Sequence, residues 1–385
     1  MVSTRKLTLK GSSRLHFFIF SIGLTLFWNS VQGQVEEKDT VFDASSRTFL
    51  VLPLVINNPT FKTGFGVMPM YFFKFDKEDE ESPPSMASVL GLYSTNKSYV
   101  FMAMGRFYWN EDKNRANIAF GPMRTNNDFI YQTEAGDDIQ LVYSELRNFI
   151  LLEYSRKIIG DFYLGVLYLG TQTNYRFDQG TDEQNEFTEE FFKEYGIQDN
   201  FVSSIGLNFS FDNRDYVYYP TSGASFSVRP KLFRSWLGSD NDYVDTDFNA
   251  TYFKSWTYKN VLGFSLAGGI ATGDVPFDGY QTYGTRNNLR GYPGGKYRGK
   301  NMIALQAEYR RIIYKKWGAV GFAGTGSIWG NDNEGEEAFE RNWLPSIGVG
   351  ARYMVSLEKR INIRLDYAIG VDGNQGLYFG IMEAF

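Results

Sequence analysis

The sequence of 385 residues has no cysteine and a single histidine, His16. Without cysteine there is no disulfide framework, so stability has to come from burial and from a hydrogen-bonded sheet. His16 lies in a segment that reads as an export signal, and the chain left after cleavage lacks both residue types. That rules out Ser-His-Asp and Cys-His catalysis, histidine acid–base chemistry and nearly every zinc site. Only carboxylate chemistry of the glycosidase kind stays formally open. No enzyme is expected, and no metal or cofactor site. Beyond residue 33 no stretch approaches 18 consecutive apolar residues, which excludes a transmembrane helix.

The N-terminus lacks acids. Arg5, Lys6, Lys10 and Arg14 precede an apolar run from Phe17 to Trp28, and Val31-Gln32-Gly33 offers a small-residue cleavage site. These parts in this order predict a signal peptide over 1–33. The run is too short for a bilayer span, which needs roughly 20 residues. No cysteine follows it, so a lipid-anchored lipoprotein is excluded. Removing residues 1–33 takes away four basic residues and no acid, leaving 35 Lys and Arg against 44 Asp and Glu, a net charge of −9. A nucleic-acid partner, which wants a basic face, is not expected.

What the chain has is aromatic residues, with 34 Phe, 26 Tyr and 7 Trp, and 39 Gly. An aromatic-rich chain of modest apolar content fits a barrel whose strands meet lipid on one face only, with Tyr and Trp where headgroups meet hydrocarbon. The period of two is clear. Ile361, Ile363, Leu365, Tyr367, Ile369 and Val371 oppose Asn362, Arg364, Asp366, Ala368 and Gly370. Ile303, Leu305, Ala307 and Tyr309 oppose Ala304, Gln306, Glu308 and Arg310. Segments 205–212, 224–229 and 347–355 repeat the pattern, the last with Arg352 on its polar side. Several runs reach the roughly 9–11 residues of a transmembrane strand. From Thr48 to Phe385 there are 338 residues. At about 21 residues per strand and connection they accommodate roughly 16 strands. The expected fold is all-β, a transmembrane antiparallel barrel over 48–385, preceded by a short periplasmic segment, 34–47. The stretch from Arg124 to Leu146 has the weakest pattern. Acidic stretches 76–84, 177–200 and 330–340 read as solvated loops, and FTEEFFKEYG in the second predicts a short amphipathic helix.

Motifs concentrate in the second half. Asn287 to Tyr292 read NNLRGY inside a Gly-rich segment, and an alternating strand follows. Asp212-Asn213-Arg214-Asp215 precedes Tyr219-Pro220-Thr221-Ser222-Gly223, and later come IGVGARY at 347–353, IRLDYA at 363–368 and the terminal GLYFGIMEAF. This series resembles, in order, the (V/L)RG(F/Y) loop tip, DxRD…YPTSG hairpin, GxGxRY and RLDxA strands and aromatic-terminated last strand of the BamA/TamA superfamily. These are outer-membrane barrels, also called bacterial surface antigens, that include protein insertases and two-partner secretion translocators. The resemblance covers about 180 residues; the N-terminal half matches in strand pattern alone.

The resemblance implies a loop folded back into the lumen, carrying Arg290, Gly291 and Tyr292, with the arginine on inward acids. Glu308 matches one partner. The second, an Asp in an FxD motif, is replaced here, since 321–324 reads GFAG. Inward Asp366 is the remaining candidate. The alternative is that RGY is an ordinary turn. Pro53 on the first strand, and Gly376 and Gly380 on the last, which ends in Phe385, predict a weak closing seam, or only accommodate bends. Family insertases carry periplasmic POTRA domains of about 75 residues. Between Gln34 and Arg47 lie 14 residues, so a short member without them is expected. The implied role is insertion, assembly or translocation of outer-membrane proteins or lipids, within a larger complex that supplies recognition. Expected partners are outer-membrane lipids, client barrels and other assembly subunits. The alternative is a passive pore or structural barrel.

Overall fold

Regular alternation and length predict where strands form. The computed structural model describes residues 48–58, 60–132, 138–257, 259–283, 288–331, 339–356 and 360–385. The expected signal peptide, the segment 34–47 and most of the acidic stretch 330–340 lie outside the described residues. In chain order the strands are β1 (Thr48–Asn58), β2 (Lys62–Phe73), β3 (Ser85–Ser94), β4 (Tyr99–Trp109), β5 (Asn114–Gln132), β6 (Asp138–Ile159) and β7 (Phe162–Arg176). Helix α1 (Asp182–Glu194) comes next, then β8 (Asn200–Asp212), β9 (Gly223–Phe233), β10 (Tyr243–Thr257) and β11 (Asn260–Gly273). Two-residue strands β12 (Gln281–Thr282) and β13 (Arg298–Gly299) lie in the long connection to β14 (Asn301–Tyr314). The chain ends with β15 (Trp317–Trp329), β16 (Arg341–Ser356), β17 (Ile361–Ile369) and β18 (Gln375–Ile381).

Sixteen of these strands close into one antiparallel barrel, β1 to β11 followed by β14 to β18 and back to β1; β12 pairs only with β13. Closure satisfies backbone groups that hydrocarbon cannot. The pleat sorts the side chains. On β14, Leu305 and Tyr309 are exposed while Ala304, Gln306, Glu308 and Arg310 are buried. On β17, Leu365, Tyr367 and Ile369 face out; Asn362, Arg364, Asp366 and Ala368 face in. Ile361 departs from its expected outward place. It is buried against Tyr218, because the β8–β9 connection folds over it. Exposed Trp256 and Trp317 ring the end of the barrel nearer Phe385, and Trp236, Trp329 and Trp343 the other end, as interfacial girdles do. Most connections at the first of these ends, called the termini end below, are short, 74–84 and 213–222 excepted, and the two longest, 177–199 and 274–300, lie at the far end. Outer-membrane barrels keep the same asymmetry, with short turns toward the periplasm.

The Arg124–Leu146 stretch resolves into a long hairpin, with pairs running from Arg124↔Leu146 to Gln132↔Asp138. Its pattern is weak for a physical reason. Thr125, Asn126 and Asn127 are all buried, because other protein segments cover this far-end extension. No lipid sorts its faces. Helix α1 packs there, Phe192 against Tyr143 with ring centroids 4.9 Å apart, and Val142 N–H donates to Thr188 Oγ1 at 3.1 Å. Three ladders break beside a proline. The β2–β3 register lapses between Val67↔Gly91 and Met70↔Ser88, at Pro69. The β4–β5 register lapses beside Pro122, and the β8–β9 register beside Pro230. A proline has no N–H to donate.

A capping box starts α1: Gln184 N–H donates to Thr181 Oγ1, and Thr181 N–H to Gln184 Oε1. Replacing Thr181 with alanine is expected to cost the helix about 1 kcal/mol. Limited proteolysis should cut 182–194 faster while the barrel's heat-modifiable gel mobility stays unchanged. Equal cutting of both proteins contradicts the cap's role.

Candidate functional site

The β11–β14 connection enters the lumen from the far end and reaches deep. Arg290 at its tip meets Glu308, seven residues down β14 from Asn301, so the tip descends roughly 23 Å along that strand at about 3.3 Å per residue. Gly291 makes the turn. Its φ is +107°, and a Cβ there would lie 3.1 Å from the carbonyl carbon of Ile369. Only glycine fits both the conformation and the space.

Arg290 is fully buried. Its Nη2 donates to Glu308 Oε2 at 2.7 Å, its Nη1 to Asp366 Oδ2 at 2.8 Å and its Nε to Gln306 Oε1 at 3.3 Å. The guanidinium carbon lies 3.5 Å from the centroid of the Phe322 ring. Ser346 Oγ donates to the Arg290 carbonyl. The loop arginine and its two candidate partners, Glu308 and Asp366, thus lie together. Where the family motif has Asp, Gly324 has no room for a side chain: a Cβ would be 2.6 Å from the Leu305 carbonyl oxygen. The carboxylate comes from β17 instead. Tyr292 donates to the Pro345 carbonyl, accepts from Val371 N–H at 3.3 Å and packs over Gly370.

The cluster continues toward the termini end through residues that the sequence reading placed on inward faces but did not connect. Glu308 Oε1 accepts from Arg310 Nε at 2.6 Å. Asp366 also binds Arg352, and Arg364 at 3.1 Å. Arg352 Nε donates to Glu383 at 2.8 Å, and Asn362 also donates to that carboxylate. Arg310 reaches the carbonyls of Pro220 at 3.2 Å and Phe385 at 3.0 Å. Four arginines therefore share three carboxylates in one buried network. An arginine at an inward position on each of β14, β16 and β17 is the signal by which the sequence could have flagged it.

Two expectations about the last strand change. Strand β18 ends at Ile381, not at Phe385. Met382 adopts φ +62°, and the next residues turn into the lumen, where the Phe385 ring stacks on Phe253 of β10 at 6.1 Å. Glu383, which interrupts the apolar row in the sequence, is an ion-pair partner inside. The seam glycines are spaces that side chains use. A Cβ on Gly376 would meet the Tyr378 hydroxyl at 2.8 Å, and one on Gly380 would meet Arg364 Nε at 2.7 Å. Pro53 is exposed and opposite Val67 of β2.

The seam itself is sparse. Among the described residues β1 and β18 share one registered pair, Asn57↔Leu377, whereas β1 pairs with β2 along its whole length. The lumen loop touches both sides. Gly291 N–H donates to Tyr378 Oη of β18 at 2.8 Å, and Thr60 Oγ1, in the β1–β2 turn, donates to the Gly294 carbonyl at 3.2 Å. The DNRD…YPTSG segment lies across the termini end. Asp215 accepts from Thr221 and Ser222 N–H and so folds the connection. Tyr218 is buried among Leu52, Phe72 and Ile361 and donates to the Pro84 carbonyl at 2.8 Å.

Two substitutions check this geometry. Arg290→Ala should leave a folded barrel, because Glu308 keeps Arg310 and Asp366 keeps Arg352 and Arg364. The loss should stay below the about 3–5 kcal/mol of an orphaned buried charge. The loop should become protease-sensitive, and unchanged resistance would mean the arginine does not hold it. Gly291→Ala should cost about 1–3 kcal/mol and lower the temperature at which the barrel loses its compact gel mobility. A neutral effect at this position argues against the turn as described.

Comparisons with known proteins agree with the fold. Residues 103–385 match the family described as the Omp85 superfamily domain. BamA from Haemophilus ducreyi lacking POTRA domains 1–3 superposes with a TM-score of 0.53 at 14% identity, covering 88% of this chain and 70% of that one. CdiB from Acinetobacter baumannii gives 0.54 at 12% identity, with 88% and 65% covered. CdiB from Escherichia coli gives 0.57 at 10% identity, with 86% and 62% covered. The chain thus spans slightly less than two thirds of the two CdiB structures. At these identities the likeness is one of fold. No curated protein matches the sequence.

Proposed function

The chain belongs to the Omp85 superfamily of outer-membrane barrels, and from that premise we propose that it contributes to insertion, assembly or translocation of outer-membrane proteins or lipids. The active element in this reading is the β1–β18 seam. The single registered pair Asn57↔Leu377 carries the proposal. A strand edge held by so few backbone bonds offers its N–H and C=O groups to an added strand. The lumen loop contacts both sides of this seam and supports it from within. Under the same proposal the termini end faces the periplasm, the signal peptide is cleaved, and client barrels and further assembly subunits are the partners. A passive pore has less support: among the described residues the Arg290 network, the Tyr218 segment and the Glu383 tail occupy the lumen.

Reconstitution tests the reading. Purified barrel in liposomes should accelerate folding of a client barrel. Asn57→Cys with Leu377→Cys forms a disulfide across the seam with no native thiol to interfere, and oxidation should abolish the acceleration while reduction restores it. Ion conductance without any acceleration would favour the pore. Acceleration that survives the cross-link would sink the seam as the working element.

A further inference from the structure

The chain is acidic, with 39 Lys and Arg against 44 Asp and Glu, and at the termini end the connection 74–84 alone carries Asp76, Glu78, Asp79, Glu80 and Glu81. One sector of that end is the reverse. The β14–β15 hairpin turns on Lys315 and Lys316, beyond its last pair Tyr314↔Trp317, and Arg311 precedes the turn. Arg311 and Lys315 are exposed and Lys316 is partly buried. Among the described residues the ion pairs of this sector run through Arg310 and Arg352 and leave these three cations out. Behind the turn is a cavity of about 30 Å³, lined by both lysines, Arg352, Tyr219 and Asn362. A single water needs about 10–15 Å³, so the space takes about two oxygen atoms of a tetrahedral anion. Arg352 commits Nε to Glu383 and Nη1 to Asp366. Its Nη2, in a side chain 6% exposed, has no hydrogen-bond partner, and Glu308 Oε2 lies 3.9 Å away. Asn362 Oδ1 is also buried and unpartnered. A buried charged donor without an acceptor is costly, and an anion entering past the lysines removes that cost.

The outer flank of the same hairpin meets lipid. Ile313, Tyr314 and Trp317 are exposed, and Trp317 packs on Tyr353 with ring centroids 4.8 Å apart. Such aromatic residues sit at headgroup level. Arg311 shares the outward parity of Leu305 and Tyr309. The cations therefore form a ridge that starts on the lipid flank at Arg311, crosses a two-residue turn and ends on the lumen side at Arg352. We propose that this ridge binds the phosphate of a phospholipid in the leaflet at the termini end. The acyl chains lie along Tyr314 and Trp317, and a phosphate oxygen reaches Arg352 Nη2 across the Lys315–Lys316 turn. Arginine and lysine are the side chains that hold phosphate, and cations clustered at a membrane surface draw anionic lipid. An acidic peptide has the charge but nothing to lay on the aromatic flank. The readout is lipid retention and needs no client, so its outcome is separate from that of the seam reading.

The test is native mass spectrometry of the full-length barrel, released from detergent after incubation with dioleoylphosphatidylglycerol, dioleoylglycerol, inorganic phosphate or a hexaglutamate peptide. The barrel should retain the phosphatidylglycerol and lose the dioleoylglycerol, which has the same chains and no phosphate. Arg311→Gln with Lys315→Gln and Lys316→Gln should lower that retention on the order of tenfold or more. Lys315→Arg with Lys316→Arg should keep it. Lys113→Gln with Lys157→Gln, at the same end on the other wall, should leave it unchanged. Heat-modifiable mobility checks that each variant is folded, and Lys315→Gln with Lys316→Gln serves if the triple variant is not. Equal retention by the parent and the folded glutamine variant would overturn the proposal, as would an equal loss in the Lys113 and Lys157 control. Binding of inorganic phosphate or hexaglutamate with no lipid retained would assign the ridge to a soluble anion or an acidic protein and overturn it too.

Discussion

A guanidinium with no exposed surface has to be neutralised where it sits, and Arg290 organises much of the lumen around that need. Its loop descends until the arginine lies between Glu308 and Asp366. Gly291 turns the backbone at the point of closest approach, and Phe322 offers a ring face to the guanidinium. The two carboxylates belong to β14 and β17, so the arginine ties together strands that share no ladder. A charge brought in on a loop thereby braces one wall of the barrel.

The network is shared. Each carboxylate that holds Arg290 also holds an arginine nearer the termini end: Glu308 binds Arg310, and Asp366 binds Arg352. Those arginines in turn fix Pro220, Glu383 and Phe385. The loop from the far end and the segments across the termini end are thus joined through two acidic side chains. The β14–β18 wall is dense with such contacts. On the other side of the seam, β1 and β2 carry Pro53 and Pro69, and the β2–β3 ladder lapses at Pro69. The two walls meet where the ladder is thinnest, at the pair Asn57↔Leu377.

Much of this was legible from residue order because strand parity is local. On β14 and β17 the lipid-facing and lumen-facing sets follow from period two, and the structure keeps them apart from Ile361. Helix α1 takes in most of FTEEFFKEYG but starts five residues earlier, at Asp182, where Thr181 caps it. Parity blurs where lipid no longer sorts the faces, as in the hairpin containing Thr125 to Asn127. It also cannot say where a strand stops. The odd row Leu377, Phe379, Ile381 predicts a strand running on to Phe385, yet the chain leaves the sheet at Met382.

By itself the amino-acid order determined that this chain is a barrel, which face each regular strand shows to lipid, and that an arginine sits at the tip of a long Gly-rich loop. These properties depend on neighbours within a few residues. How Glu308 and Asp366 share that arginine with three others, why Gly324 leaves no space for the expected acid, and why Glu383 turns inward were decided by the closed tertiary structure. Partners across a lumen are set by strand order, register and closure, and those bring Arg290 to an acid 76 residues away in the sequence.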